Sequence, residues 1–269
     1  MNVLRILHLS DLHFGTEQSS VADALLRMSE QQAPTMAILS GDITQRARRA
    51  EFAAAASFLD CLAIPVMALP GNHDIPLFNL GARLLAPYAN YNRALQTPLM
   101  PRFDNERLLA LGVNTTRWFR HKDGEVSPGQ IEQICTQLRT ASPQQLRIVV
   151  THQPVYVTEQ RDAHNLLHGR AEAVRAWSGA GADLILGGHI HLPYTRDLRI
   201  HYPELPRATW CVQAGTAVST RVRFEAPNSV NLIEYHADSR RCRLQRWDYD
   251  QAHGEFCVHS DTPMALNPG

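Results

Sequence analysis

Eight side chains able to bind a metal ion or move a proton fall in five short stretches of this chain. They are Asp11 and His13 in LHLSDLHFG, Asp42 in ILSGDIT, Asn72 and His73 in ALPGNHD, His152 in VVTHQP, and His189 and His191 in LILGGHIH. Each stretch opens with an apolar run that reads as a buried strand, and the polar residues follow it at once. In an open α/β sheet, the loops beyond the carboxyl ends of the strands lie side by side and form the ligand crevice, so these loops can converge on one place. Imidazole, carboxylate and amide without thiolate suit divalent or trivalent first-row ions such as Mn, Fe, Co, Ni or Zn, and do not suit copper(I) or an iron–sulfur cluster. The DxH and HxH spacings are expected to act through extended backbone, in which alternate residues point the same way. Gly41, Gly71, Gly187 and Gly188 stand beside the ligands, where close backbone approach is needed. Two cations roughly 4 Å apart can bind phosphate oxygens and lower the pKa of a shared water to about 7, giving a hydroxide that attacks phosphorus in line. One histidine near a strand end is ordinary; the joint occurrence carries the reading.

DLH, GD, GNHD, the isolated His152 and GGHIH resemble, in order and spacing, the five-motif signature of the calcineurin-like metallophosphoesterases, across residues 11 to 191. The resemblance implies that Asp11, His13 and His191 hold one metal ion, that Asn72, His152 and His189 hold a second, and that Asp42 bridges both. His73 resembles the family's non-ligand histidine, which stabilises or protonates the leaving group. Two first-row metal ions and attack by a metal-bridging hydroxide are therefore expected. SDLHFG, SGDITQ and GNHDIP look closest to the class III cyclic-nucleotide phosphodiesterases and the related glycerophosphodiesterases, which implies a small phosphodiester as substrate. The run GDITQRARRAEF departs from many of those enzymes, which have a glycine a few residues past the GD pair. His73 stands where the lipid A branch typically carries arginine. A phosphomonoesterase or a nuclease would use the same metal core, although the nuclease branch usually adds a DNA-binding or dimerisation region and no basic aromatic stripe is present here. A metal-free interaction scaffold, as some relatives are, would have lost ligands that this chain retains.

The elements that must position these residues alternate. VLRILHL, MAILS, PVMALP, LLALGV, LRIVVTH and ADLILGG read as strands; SSVADALLRMSEQQ, EFAAAASFLDCL, residues 77–95, SPGQIEQICTQLR and AEAVRAWSGAG read as helices. Ser127, Pro128 and Gln130 form a capping-box pattern. After residue 205 only strand-like runs follow: ATWCVQAG, AVSTRVRF, SVNLIEYHA and CRLQRWDYD. The expectation is an α/β fold of two packed mixed sheets flanked by helices, an αββα sandwich, with the C-terminal strands completing the second sheet. SDTPMALNPG is expected to fray. The 269 residues read as a single domain whose β-rich C-terminal portion covers about 205–250.

Charge bounds the partners. Lys+Arg and Asp+Glu both number 26, so no net field draws in nucleic acid or an anionic membrane. The five cysteines are scattered without CxxC pairs, no apolar leader opens the chain and no stretch could span a bilayer, so a cytoplasmic protein is expected. Nearly all the positive charge is arginine, with Lys122 the only lysine. The positive cluster near a motif is Arg46, Arg48 and Arg49, read mainly as the solvated start of a helix with Arg46 the candidate phosphate clamp. A monoester dianion would call for more cations than that, which again favours a diester. His8 reads as a packed strand residue, Asp74 as structural and Trp177 as helix packing; His121, His164, His168 and His201 read as loop residues, any of which could rim the pocket.

Overall fold

The computed structural model describes residues 3–223 and 226–267. Its strands are β1 (Val3–Leu9), β2 (Met36–Leu39), β3 (Val66–Ala68), β4 (Arg102–Asn105), β5 (Leu108–Gly112), β6 (Leu146–Val150), β7 (Leu184–Gly187), β8 (Tyr194–Asp197), β9 (Trp210–Gln213), β10 (Ser229–His236), β11 (Arg241–Asp250) and β12 (Glu255–Met264). The α-helices are α1 (Ser19–Gln32), α2 (Arg49–Cys61), α3 (Leu80–Leu85), α4 (Ala89–Leu95), α5 (Pro128–Leu138) and α6 (Arg170–Ala180). Two six-stranded mixed sheets run β12-β11-β10-β1-β2-β3 and β4-β5-β6-β7-β9-β8.

Alternation along the inner strands explains the layering. Leu4 and Ile6 of β1 and Met36 and Ile38 of β2 face the core between the sheets, where they meet Leu108, Ile148 and Leu184 of the second sheet. Leu7, Leu9, Ala37 and Leu39, one residue out of phase, face α1 and α2. The second sheet turns Leu109, Val149 and Ile185 toward α5 and α6, where Trp177 is fully buried. Strands covered on both faces must read as continuous apolar runs, as these do. The helices bury single stripes: Val21, Ala24, Leu25 and Met28 on α1, and Ile131, Ile134, Cys135 and Leu138 on α5. At the start of α5 the Gln130 amide donates to Ser127 Oγ at 3.3 Å and the Ser127 amide donates to Gln130 Oε1 at 3.1 Å, the capping box expected from sequence. None of the described helices is long and apolar enough to cross a membrane.

The C-terminal third departs from expectation in three places. Strands β10, β11 and β12 extend the first sheet, antiparallel beside β1, instead of completing the second. The cause lies in β10, which is apolar on both faces, with Val230 and Leu232 toward the helices and Ile233 and Tyr235 between the sheets, and so requires a central place. AVSTRVRF is a loop over its described residues, 217–223; Phe224 lies outside them. Its carbonyls are taken by other groups: Gln18 N–H donates to the Val218 carbonyl, and Gln18 Nε2 and Asn228 Nδ2 donate to that of Ser219, which removes the acceptors a strand would pair. The expected frayed tail instead forms the end of β12, with Ser260 to Met264 paired to β11. Its polar residues suit an exposed edge strand, and Pro268 and Gly269 lie outside the described residues. The β-rich portion thus runs on to Met264. The helical stretch 77–95 divides into α3 and α4 around Pro87, whose ring cannot continue a helix.

Candidate metal centre

All five stretches end beside one another. The loops after β1, β2 and β3 come from the first sheet and those after β6 and β7 from the second, so the centre sits at the seam between the two. The ligating atoms gather in overlapping groups: Asp11, His13 and His191; Asp42, His152 and His189; and His13, Asp42 and His73. Asp42 joins them. Its Oδ1 lies 3.2 Å from His152 Nε2 and its Oδ2 3.7 Å from His13 Nε2, so one carboxylate faces both groups. On one side, Asp11 Oδ1 is 3.4 Å from His191 Nε2 and 3.6 Å from His13 Nε2, and those two nitrogens are 3.3 Å apart. On the other, His152 Nε2 is 3.2 Å from Asn72 Oδ1 and 3.3 Å from His189 Nδ1. Every residue expected as a ligand is therefore in the cluster.

The spacing works by a different backbone from the one expected. Asp11, His13, Asp42, His189 and His191 have φ values of 53°, 46°, 51°, 74° and 58°, in the left-handed region instead of the extended one. Side chains other than glycine rarely adopt this conformation, and its concentration on ligand-type residues places the strain where the site is built. Two glycines make the convergence possible. Gly41 has φ +103°, and a Cβ there would lie 2.5 Å from His152 Nδ1; at Gly71 a Cβ would collide with the Asp42 carboxylate.

Hydrogen bonds fix which atoms face inward. His152 Nδ1–H donates to the Ser40 carbonyl at 2.8 Å, which leaves the Nε2 lone pair directed at Asp42 and Asn72. His191 Nδ1–H is held by Thr216 Oγ1 at 2.7 Å and by the Arg221 carbonyl, which leaves its Nε2 facing Asp11. The His189 amide donates to Asp11 Oδ2 at 2.9 Å, while buried Asp11 Oδ1 has no hydrogen-bond partner. Lone pairs thus point at lone pairs, an arrangement that is costly when buried unless a cation lies among them. The donor set fits first-row metal ions on this ground. In His152 and His191 the ring nitrogen left free, set by what the other nitrogen binds, matches what metal ligation needs.

The electrostatics agree. Burial opposes charge on Asp42 and Asp11, yet His152 and His73 around the first, and His191 and His13 around the second, hold both carboxyls below their usual range. Burial also opposes a charged His152, but the adjacent Asp42 outweighs it and lifts the imidazole to about 9. His189 is pressed down to about 3 by burial and by His152. A lone proton drawn to His152 marks where positive charge is most favourable.

His73 sits at the edge of this group. Its amide donates to Asp42 Oδ1 at 2.9 Å and its Nδ1 donates to the Gln45 carbonyl at 2.9 Å, so Nε2 is the ring nitrogen left for another partner. Asp74 accepts from the amides of Gly71, Ile43 and Thr44, a structural role that ties two ligand loops together. His8 is buried between Ser40 Oγ and Asn231 Nδ2, away from the cluster.

The cleft over the centre has a volume of about 260 Å³ and is lined by Asp42, Asn72, His73, His189 and His191, with Lys122, Asp162, His164, Asn165, Ile190, Arg221 and Arg223 completing it. His164 was among the loop histidines that could rim the pocket; Lys122, Asp162, Asn165, Arg221 and Arg223 carry no spacing signal. Lys122 is distinctive only as the single lysine. Arg46, the candidate clamp, is not among the cleft residues but lines an adjoining pocket with Asn72, His73 and His121, its guanidinium over the Phe78 ring, 5.4 Å from the centroid. Glu51 accepts the amides of Arg46 and Arg48 at the entry to α2, so this cluster is the start of a helix.

Comparison with known proteins follows the same lines. The profile of the calcineurin-like phosphoesterase family matches residues 4–193, and no curated protein matches the chain. The fold is similar to that of a purple acid phosphatase from yellow lupin, Lupinus luteus (TM-score 0.74, 13% identity), covering 97% of this chain but 53% of that one, so the chain spans about half its length. It is similar to a dimetal phosphatase from Danio rerio (TM-score 0.67, 12% identity; 98% and 99% covered) and to the zinc-complexed Vps29 of Entamoeba histolytica (TM-score 0.51, 10% identity; 97% and 100% covered). With two mixed sheets between helices, a His/Asp cluster across their seam and a profile match over most of its length, this chain belongs to the calcineurin-like phosphoesterase family.

Proposed function

We propose that the chain hydrolyses a small phosphodiester with two first-row metal ions, Asp11, His13 and His191 holding one, Asn72, His152 and His189 the other, and Asp42 both. The observation that carries this reading is the placement of the two Asp42 carboxylate oxygens toward two separate groups of ligand-type atoms. When bound, such ions supply Lewis acidity toward phosphoryl oxygens and activate a water. The protein holds the geometry: the Ser40 carbonyl and Thr216 fix the ring faces of His152 and His191, and the His73 amide orients Asp42. His73, anchored through Nδ1 to Gln45, presents Nε2 to stabilise or protonate the departing oxygen. Both sheets contribute ligands, which supports a single catalytic domain, and the five free cysteines support a cytoplasmic setting.

The diester preference rests on the resemblance of SDLHFG, SGDITQ and GNHDIP, and it predicts a higher kcat/KM on bis(p-nitrophenyl) phosphate than on p-nitrophenyl phosphate under the same metal and pH. A reproducible preference for the monoester would refute it. One observation favours that second reading. Lys122 and Arg221 line the cleft, so the supply of cations is larger than the Arg46 cluster indicated.

A further inference from the structure

Three cationic side chains line the cleft, and they are not alike. Arg223 is committed: its Nη1 donates to both carboxylate oxygens of Asp162, at 3.1 and 3.0 Å, and to the Ile190 carbonyl. Lys122 and Arg221 have no carboxylate within ion-pair distance among the described residues. Arg221 donates through Nη1 to the neutral Gln45 Oε1 at 3.1 Å, which leaves most of its donors unspent.

The backbone that carries each cation is nevertheless held by the site itself. The Arg221 carbonyl accepts from Thr216 Oγ1 at 2.8 Å and from His191 Nδ1, so the backbone that steadies His191 also carries this guanidinium. Gln45, which receives Arg221, is the residue whose carbonyl anchors His73. On the other loop, buried Gln153, the neighbour of His152, donates through Nε2 to the Lys122 carbonyl at 3.1 Å and accepts from Thr115 Oγ1 at 2.5 Å. Gly124 lets this loop approach: a Cβ there would collide with the Gln153 side chain. Two unneutralised cations are thus tied, through different loops, to residues next to the centre.

We infer that Lys122 and Arg221 are specificity-determining residues that bind a second anionic group on the substrate, a carboxylate or phosphate beyond the phosphorus that is cleaved. A lone phosphodiester monoanion facing the metal ligands leaves both side chains without a counter-charge, whereas a substrate with an anionic arm supplies one. This deepens the hydrolase reading and rests on it.

The test uses metal-loaded protein and a matched pair of aryl phosphodiesters whose second arm ends in a carboxylate or in its methyl ester. Lys122→Gln and Arg221→Gln should each raise KM for the carboxylate substrate about tenfold, the scale of one charge-assisted hydrogen bond at a half-exposed site, and Lys122→Gln should change KM for the methyl ester less than about threefold. Metal content should be unchanged in Lys122→Gln, and Lys122→Arg should keep most of the charged substrate's binding. Because Lys122 is the only lysine, its reductive methylation, mapped by peptide mass spectrometry, reads occupancy without turnover. Inorganic pyrophosphate should slow that methylation more than inorganic phosphate does, and Arg221→Gln should weaken the protection. Equal KM changes on the two esters, or methylation indifferent to pyrophosphate, would overturn the inference. Wild-type protein that turns over neither ester would overturn the hydrolase reading instead, while the methylation result would still decide whether Lys122 meets an anion.

Discussion

Asp42 and His73 are adjacent in space but do different work. Asp42 is surrounded by ligand atoms, whereas His73 has one ring nitrogen spent on Gln45 and its amide spent on Asp42. His73→Ala should therefore keep most of the metal and lose roughly 100-fold or more in rate on an ester with a poor leaving group, with a smaller loss on an activated aryl ester. Metal lost in proportion to activity would make His73 a ligand. A second residue shows how burial alone sets a pH response. His8 is enclosed between Ser40 and Asn231, and burial, only partly offset by Asp11, lowers its pKa to about 3. Below the ordinary imidazole pKa the unfolded chain then binds a proton that the folded chain refuses, so stability falls as the pH drops from about 6.5 toward 3. The slope from this one group is at most roughly 1.4 kcal/mol per pH unit, and His8→Gln should flatten urea-derived stability between pH 6 and 4 by up to that amount. An unchanged slope would mean that His8 is solvated or protonated in the folded protein.

Strand ends and the loops beyond them do the positioning. The strands are legible because burial on both faces forces unbroken apolar runs, as in MAILS and LRIVVTH, and the gathering of the candidate ligands is legible because they follow those runs directly. The backbone of the ligand loops was not: φ near +50° at Asp11, His13 and Asp42 leaves no mark in residue type, since these are not glycines. Loop 217–223 departs from its strand-like pattern for a related reason. AVSTRVRF has the alternation of a strand, but Gln18 and Asn228 occupy its carbonyls, and neither partner is local in sequence. That segment nonetheless reaches the centre, where Arg221, together with Thr216 just before the loop, holds His191. Thr216→Val should leave folding nearly intact and weaken metal binding at the Asp11–His13–His191 position roughly tenfold, as expected for loss of a ligand-orienting hydrogen bond. Competition with a chelator dye would read this, and an unaltered affinity would show that the Arg221 carbonyl suffices.

Across the whole molecule, the centre depends on the two sheets meeting. β1, β2 and β3 deliver Asp11, His13, Asp42, Asn72 and His73, and β6 and β7 deliver His152, His189 and His191. Neither sheet alone supplies a full set. The αββα layering could be anticipated from alternating strands and helices, but the destination of the C-terminal strands could not, because both sheets offer an edge and only the two-sided burial of β10 selects the place beside β1. The most direct test of this arrangement is elemental analysis of protein purified without chelator and mildly supplemented with metal, wild type beside Asp42→Ala and His191→Ala. About two equivalents per chain are expected in the wild type, loss of both in Asp42→Ala and loss chiefly of one in His191→Ala. Stoichiometry that stays near zero in the wild type, or the same selective loss of one ion in both variants, would contradict the account.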